Sequence, residues 1–506
     1  MTTNGHPRRT LLRHPLAALG GALVLAGGAL FIILVLIDLS AAHENMYRSL
    51  VTFILAPAVI LLGVLLFLIS VRLQIGRARR AGEDVRFTLS IDPADPKYIR
   101  NLWLFLAFTA VLVLVVVYAG TEAYDATESV VFCGETCHRV MEPQYVTYHN
   151  SPHARVACAE CHIGPGASFW VKSKVDGLRQ VWATALNTYP EPIPTPIVNL
   201  RPARETCEQC HWPEQFYGDK LLVRTYYRTD EQNSPWTVAL RVKIGGGTPR
   251  ATGQAGGIHY HMLTERRLEY IPADEKRSVI AWVRSIGPEG DTTVWVNADA
   301  EQPAVADSAD AIRAFDCMDC HNRPSHRFNP PATAVNRALN RHELSAELPS
   351  IRKLAVDLLN AEYKTKPQAL EAIAQGLREY YRTNYPDRVE AQKDDIERAA
   401  AVLQEIYTLN FFPEMKTDYR VRENHLSHFV SDGCFRCHTP SMTNAAGEPM
   451  KNDCRTCHLI VAQGPSTAID SLEMNLAGLE FRHPEDIDEA WREVNCTACH
   501  TADQGY

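Results

Sequence analysis

Hydrophobic residues are distributed along this chain in three ways. Residues 16–37, 51–71 and 102–120 are runs of 22, 21 and 19 residues without a charged side chain, each long enough to cross the hydrocarbon core of a bilayer as a helix. The first run is longer than the apolar stretch of a cleaved signal peptide, about 7 to 15 residues, and a second run follows it closely. Three retained transmembrane helices are therefore expected in a membrane anchor over residues 1–120. Further on, short alternating segments at 221–228, 236–244 and 294–296 have the period of half-buried strands, and 256–263 also reads as a strand. From 331 to 412 the period becomes helical, as in 351–361 and 395–409, with charged outer faces that read as solvated. The predicted fold class is mainly α with loops: three N-terminal transmembrane helices, then an outer part with a small β-rich insertion and a helical insertion.

Charge follows the same division. Of 51 Lys and Arg and 59 Asp and Glu, the first 120 residues hold 11 and 6, so a head of net +5 precedes a remainder of net −13. Arg8, Arg9 and Arg13 precede the first run, and Arg72, Arg77, Arg79, Arg80, Arg86, Lys97 and Arg100 separate the second from the third, whereas the loop 38–50 carries only Arg48. Short basic loops stay in the cytoplasm. This predicts a multi-pass protein of the cytoplasmic membrane, with a cytoplasmic N-terminus and the chain after residue 120 in the periplasm. The 46% hydrophobic content excludes a disordered or nucleic-acid-coating chain.

The cysteines change the picture most. All 14 fall in seven pairs, each followed at once by histidine. Six are C-x-x-C-H: Cys158/Cys161/His162, Cys207/Cys210/His211, Cys317/Cys320/His321, Cys434/Cys437/His438, Cys454/Cys457/His458 and Cys496/Cys499/His500. The remaining pair, Cys133 and Cys137 before His138, has three residues between its thiols. Two thiols on a tight turn reach the two vinyl groups of one porphyrin, and the adjacent imidazole is delivered to the iron, which is the attachment of c-type haem. Zinc sites and disulfide frameworks also use paired cysteines, but neither explains a histidine after every pair. The expectation is seven covalent c-type haems with proximal His138, His162, His211, His321, His438, His458 and His500, outside the membrane where such haem is attached.

Seven irons ask for up to seven distal ligands. The outer part offers His149, His153, His259, His261, His326, His342, His425, His428 and His483, with Met141 as a further candidate. A filled sixth position suits electron transfer, whereas substrate chemistry at iron needs an open one. His259 and His261, two apart on the expected strand, would face one side. His425 and His428 have helical spacing, so one is expected to ligate and the other to pack or to bond a propionate. His342, among Asn340, Arg341 and Glu343, reads as a solvated surface residue.

The chain is thus expected to divide into an anchor (1–120), a segment with the first three motifs (121–220), a β-rich insertion with the fourth (221–330), a helical spacer (331–412) and a C-terminal segment with the last three (413–506). Haems, rather than a large apolar core, would supply much of the packing. The stretch from Cys133 to about His211, with Met141, Ser151-Pro152-His153 and Cys158-Ala159-Glu160-Cys161-His162-Ile163-Gly164-Pro165, resembles the NapC/NirT family of membrane-anchored multihaem quinol dehydrogenases. The architecture as a whole is most similar to the seven-haem, three-span inner-membrane cytochromes of metal-reducing bacteria. Cys320-His321-Asn322-Arg323-Pro324-Ser325-His326 and Gly433-Cys434-Phe435-Arg436-Cys437-His438 are similar to their C-terminal part. The resemblance implies that His153 is a distal ligand, that Met141 serves the first haem, and that a quinol pocket lies beside that haem. Lys172, Lys174 and Asp176 are the nearest match to the pocket, although a solvated charged face is the plainer reading of those three. The chain departs from the short family members in having three spans instead of one, and in the extra residue of its first motif.

Together these features predict an enzyme, a quinol dehydrogenase. It would oxidise menaquinol or ubiquinol at the outer membrane face, with a carboxylate such as Asp125, Glu128 or Asp176 taking a proton. Electrons would pass along the haems to a periplasmic multihaem cytochrome or reductase. The expected partners are membrane lipid, the quinol pool and that acceptor, and no nucleic acid. One competing expectation is a terminal reductase with one open haem for nitrite, hydroxylamine or a sulfur oxyanion, against which the acidic outer part argues. The other is an electron-wiring subunit held by other membrane subunits.

Overall fold

The computed structural model describes residues 14–40, 56–80, 96–136, 138–164, 167–197, 201–246, 256–301, 312–426, 428–471 and 477–501. The chain divides into two compact units, residues 1–132 with 163–178, and residues 133–162 with 179–506.

The first unit is built on three long helices, α1 (Pro15–Ser40), α2 (Ala56–Arg80) and α3 (Pro96–Glu128). Within them, Pro15–Ile32 and Ala56–Arg77 are long and apolar enough to cross a membrane, with hydropathies of 2.0 and 2.5. The expected span 51–71 starts before the described part of α2, at residues 51–55. Glycines bring α1 and α2 into close contact: a Cβ at Gly20 would meet the Gly63 carbonyl at 2.7 Å, and one at Gly27 would meet Ile60 Cγ1 at 2.7 Å. Such small residues let helix backbones approach where no hydrophobic effect drives association. Leu61, Leu65 and Leu68 stay exposed on α2, as a lipid-facing surface requires. The run 102–120 lies inside the unbroken α3, which exposes Trp103, Phe108, Leu114 and Tyr118.

In the second unit, α4 (His138–His149) follows the first motif. The helix α5 (Ala167–Ala185) starts in the first unit and ends in the second. Nine described strands follow in chain order: β1 (Tyr217–Tyr227), β2 (Pro235–Gly246), β3 (Arg267–Pro272), β4 (Ile280–Ile286), β5 (Thr292–Asn297), β6 (Arg313–Ala314), β7 (Met442–Asn444), β8 (His458–Pro465) and β9 (Asp470–Ser471). They form two sheets, ordered β1-β2-β8-β9 and β6-β3-β4-β5-β7, with every pairing antiparallel. Both sheets take strands from beyond residue 440, so the segments 221–330 and 413–506 are joined by hydrogen-bonded ladders, and the β content exceeds a small insertion. Residues 256–263 are not a strand: Tyr260–Leu263 is a helical turn with His259 at its N-cap.

Between the two sets of strands lie α6 (Pro331–Asn340), α7 (Ile351–Asn360), α8 (Lys366–Asn384) and α9 (Lys393–Asn410). Pro331 opens α6 at a position where its missing N–H costs nothing, Thr365 caps α8 by accepting from the Gln368 N–H at 3.4 Å, and Asp394 and Asp395 face the positive end of α9. Leu348, Ile351, Ile373, Leu377 and Leu403 are fully buried among them, each burial worth about 1.5–3 kcal/mol. This is a real apolar core, contrary to the expectation that haems would stand in for one; the packing is divided between regions. Asn233, in the β1–β2 turn, donates to the Ala346 and Leu348 carbonyls at 3.0 and 2.9 Å and ties the first sheet to this block.

Candidate haem and quinol sites

Each C-x-x-C-H motif sits at a short helical turn, and the backbone shows why the spacing works. The N–H of His211, His321, His438 and His500 donates to the carbonyl of the first cysteine of its motif, at 2.8, 2.9, 3.0 and 2.8 Å. This closes one turn and sets the imidazole on the same side as that thiol. Among the described residues no cysteines are disulfide-bonded and no three His, Cys, Asp or Glu side chains converge as they would on zinc.

Six proximal histidines each face a second imidazole. Ring centroids are 6.0 Å apart for His153 and His211, 6.2 Å for His162 and His326, and 6.4 Å for His259 and His321. They are 5.9 Å apart for His261 and His438, 6.2 Å for His428 and His458, and 5.8 Å for His483 and His500. Two imidazoles on opposite sides of one metal, each with a metal–nitrogen bond of about 2 Å, have centroids roughly 6 Å apart, so the residues present fit an iron between each pair. The outer nitrogens agree. Nδ1 of His259, His261 and His326 lies 2.8, 3.3 and 3.0 Å from the carbonyls of Ile244, Ile258 and Gln144. A carbonyl at Nδ1 fixes the tautomer that leaves Nε2 free to ligate. Burial, and then the facing His162, pushes His326 down to about 4; burial and the facing His438 do the same for His261. Both rings are therefore neutral, as ligands must be. His259 and His261 face two different proximal histidines rather than one side, because a helical turn rotates positions i and i+2 well apart.

The thiols form a sequence-ordered chain. A hydrogen bond from Cys133 is the main cause holding Cys158 down to about 7. Cys207 is raised chiefly by its hydrogen bond to Cys317. Burial first, and then a neighbouring motif's thiol, raises Cys320 to about 12 beside Cys434 and Cys457 to about 11, also beside Cys434. Cys161 is raised by burial and, among weaker causes, by Cys210; Cys496 likewise by burial and by Cys454. Each motif thus lies against the next one along the chain.

Exposure does not set one motif apart: Cys161, Cys210, Cys434, Cys454 and Cys499 are exposed and the other described thiols are half-buried. At the last motif the Cys499 N–H donates to the Cys496 carbonyl at 3.2 Å, so its turn is intact.

The first motif is different again. Cys137 and the side chain of His138 lie outside the described residues. Met141, half-buried, and His149, exposed, share α4 with His138, and His149 packs edge-on against Tyr145 at 4.5 Å. The extra-residue loop is held by Tyr145, whose hydroxyl donates to Glu135 at 2.5 Å and whose ring lies where a Gly134 Cβ would fall, 2.0 Å from Cδ2. His425 faces no proximal histidine among the described residues, and His342 is exposed just past α6.

In the first unit, the quinol-pocket candidates separate. Lys174 on α5 forms an ion pair with Glu128 at the end of α3 and reaches Thr127 Oγ1 at 3.3 Å. Trp170 Nε1 donates to the same Glu128 oxygen at 3.2 Å, and its ring lies 6.2 Å from Tyr124, interplanar angle 18°. The Lys174 ammonium sits 5.3 Å over the Trp170 ring. Lys172 is exposed, and the half-buried Asp176 makes no hydrogen bond or ion pair among the described residues. Trp170, Tyr124 and Thr127 were missed from sequence; their signal was helical spacing, Tyr124 to Glu128 and Trp170 to Lys174, each i to i+4. Val171, Val175 and Leu178 are exposed on the same helix, at 40, 62 and 65%.

Comparison with known proteins adds to this geometry. The NapC/NirT cytochrome c family, N-terminal region, matches residues 96–192. The cytochrome c-type protein ImcH of Geobacter sulfurreducens is 38% identical over 494 residues, 97% of this chain and 96% of its own. The cytochrome c-type protein NrfH of Wolinella succinogenes is 36% identical over 78 residues, 15% of this chain and 44% of its own. No solved structure matches.

Proposed function

This chain belongs to the NapC/NirT cytochrome c family, and on that premise we propose that it oxidises quinol at the outer face of the cytoplasmic membrane and passes the electrons to a periplasmic acceptor. It is a membrane-anchored electron-transport protein carrying covalent c-type haem. The finer reading is three spans, 16–37, 51–71 and 102–120, with a cytoplasmic N-terminus and seven haems in the periplasm. The haems, when bound, supply one-electron transfer in place of substrate chemistry.

The observation that carries this reading is the pairing of six motif histidines with six second imidazoles. His326, His153, His259, His261, His428 and His483 are assigned as distal ligands in motif order from the second to the seventh, with Met141 the candidate at the first. Filled sixth positions weigh against a terminal reductase, which needs an open one. At the quinol end, Glu128 takes the hydroxyl proton. Lys174 pairs with that carboxylate and aims it, and Trp170 and Tyr124 offer flat apolar surfaces to a ring. The uncharged run that ends at Gly120 leaves Glu128 eight residues further along one helix, a rise of about 12 Å, within reach of a lipid-soluble donor.

The test is rapid mixing of the full-length protein in detergent with a reduced menaquinone analogue. Haem reduction is expected, slowed about 100-fold or more by Glu128→Gln and also slowed by Lys174→Gln, with the resting haem spectrum unchanged. Parental rates in both variants, or no reduction of the parent, would contradict the reading.

A further inference from the structure

Arg422 is a buried guanidinium and Arg323 a half-buried one. Arg422 is 3% exposed; its Nη2 donates to the Ile193 carbonyl at 2.7 Å, and its Nε is buried without any hydrogen-bond partner. Arg323, on the loop after the fourth motif, donates through Nη1 to Thr195 Oγ1 at 3.2 Å and through Nε to the Glu423 carbonyl at 3.4 Å. Neither makes an ion pair among the described residues. The nearby Glu423 offsets Arg323 only partly, and its carboxylate accepts from Ser278 Oγ at 2.9 Å. Two guanidinium groups held side by side in a folded interior need an anion.

Their neighbour says which anion. Both cations lie close enough to His326 to act on it, together with His162, and these two imidazoles face each other at 6.2 Å. A haem brings two carboxylates on the edge opposite its thioether bonds. We propose that Arg323 and Arg422 hold the propionates of the haem clasped by His162 and His326. Arg422 Nε supplies the unused donor, and the planar guanidinium fork suits a carboxylate. The proposal rests on the ligation reading above. Because positive charge near an iron favours its reduced form, the pair raises the potential of this haem.

The experiment is a potentiometric titration of the full-length holoprotein in detergent, followed by optical and electron paramagnetic resonance spectra. Arg323→Gln and Arg422→Gln are each expected to move one haem midpoint to lower potential, with the others in place and the haem content at the parental value. The haem that moves must be the one that turns high-spin in His326→Ala. No movement in either variant, movement of a different haem, or a parental midpoint that tracks added inorganic phosphate would overturn the proposal. Where a Gln variant fails to accumulate, Arg422→Lys decides: a smaller downward shift of the same haem is expected, and no shift in any haem contradicts. If His326→Ala stays low-spin, it is the ligation reading that fails.

Discussion

The helices between residues 331 and 410 and the motif-bearing segments around them are built on opposite principles. The helical block keeps its largest apolar side chains, Leu348, Ile351, Ile373, Leu377 and Leu403, fully out of water and carries no cysteine. In the motif-bearing part, Leu221 and Val223 on β1 and Trp212 beside the third motif are 63, 56 and 59% exposed. There the shared interior is organised by pairs of imidazoles and by contacts between thiols, and order depends on the groups those residues would hold. One block is held by hydrophobic burial; the other has a smaller apolar cluster around Tyr270, Ile280 and Met442 and, on the proposed reading, would draw on ligation as well.

The comparison breaks most visibly if haem attachment is withheld. In chain produced without it, limited proteolysis with mass spectrometry should leave a protected fragment within roughly residues 331–419 while the motif-bearing segments are cut; equal digestion of both would contradict the division. Leu377→Ala should cost about 2–5 kcal/mol through the cavity it leaves, lowering the helical unfolding midpoint with no change in the haem spectrum, whereas Leu221→Ala should stay within about 0.5 kcal/mol. Gly134→Ala, which drives a methyl group into the Tyr145 ring, should cost about 1–3 kcal/mol by overpacking. Its effect should be confined to the first haem, read as a change in that haem's spectrum or content alone. Smallest is His342→Ala, expected to leave stability within about 0.5 kcal/mol and every haem low-spin; a high-spin band there would make His342 a ligand.

What was legible in the sequence was local. C-x-x-C-H is a single turn, so its geometry is contained in five residues, and the alternation at 221–228 and 236–244 appears as β1 and β2. The apolar runs read the same way, and their described residues lie in α1, α2 and α3. Ligand pairing was not legible, because His326 meets His162 across 164 positions and only the folded chain joins them. Alternation misled at 256–263, where the Gly256-Gly257 pair and the bond from the His259 N–H to the Ile244 carbonyl at 3.2 Å favour a turn that aims His259 and His261 in different directions. The segments 221–330 and 413–506 looked separate because β7 and β8 pair with residues far back in the chain. At the quinol end, Lys174 and Glu128 stood out as charges, while Trp170 and Tyr124 read as ordinary apolar helix positions.

The account stands on two imidazoles per iron. Electron paramagnetic resonance and near-infrared magnetic circular dichroism of the oxidised full-length protein, normalised to a pyridine haemochrome count, measure this directly. The account predicts seven haems per chain, at least six of them low-spin with bis-histidine signatures and the first set apart from them. Fewer than six bis-histidine centres, a persistent high-spin population, or protein without haem would contradict it.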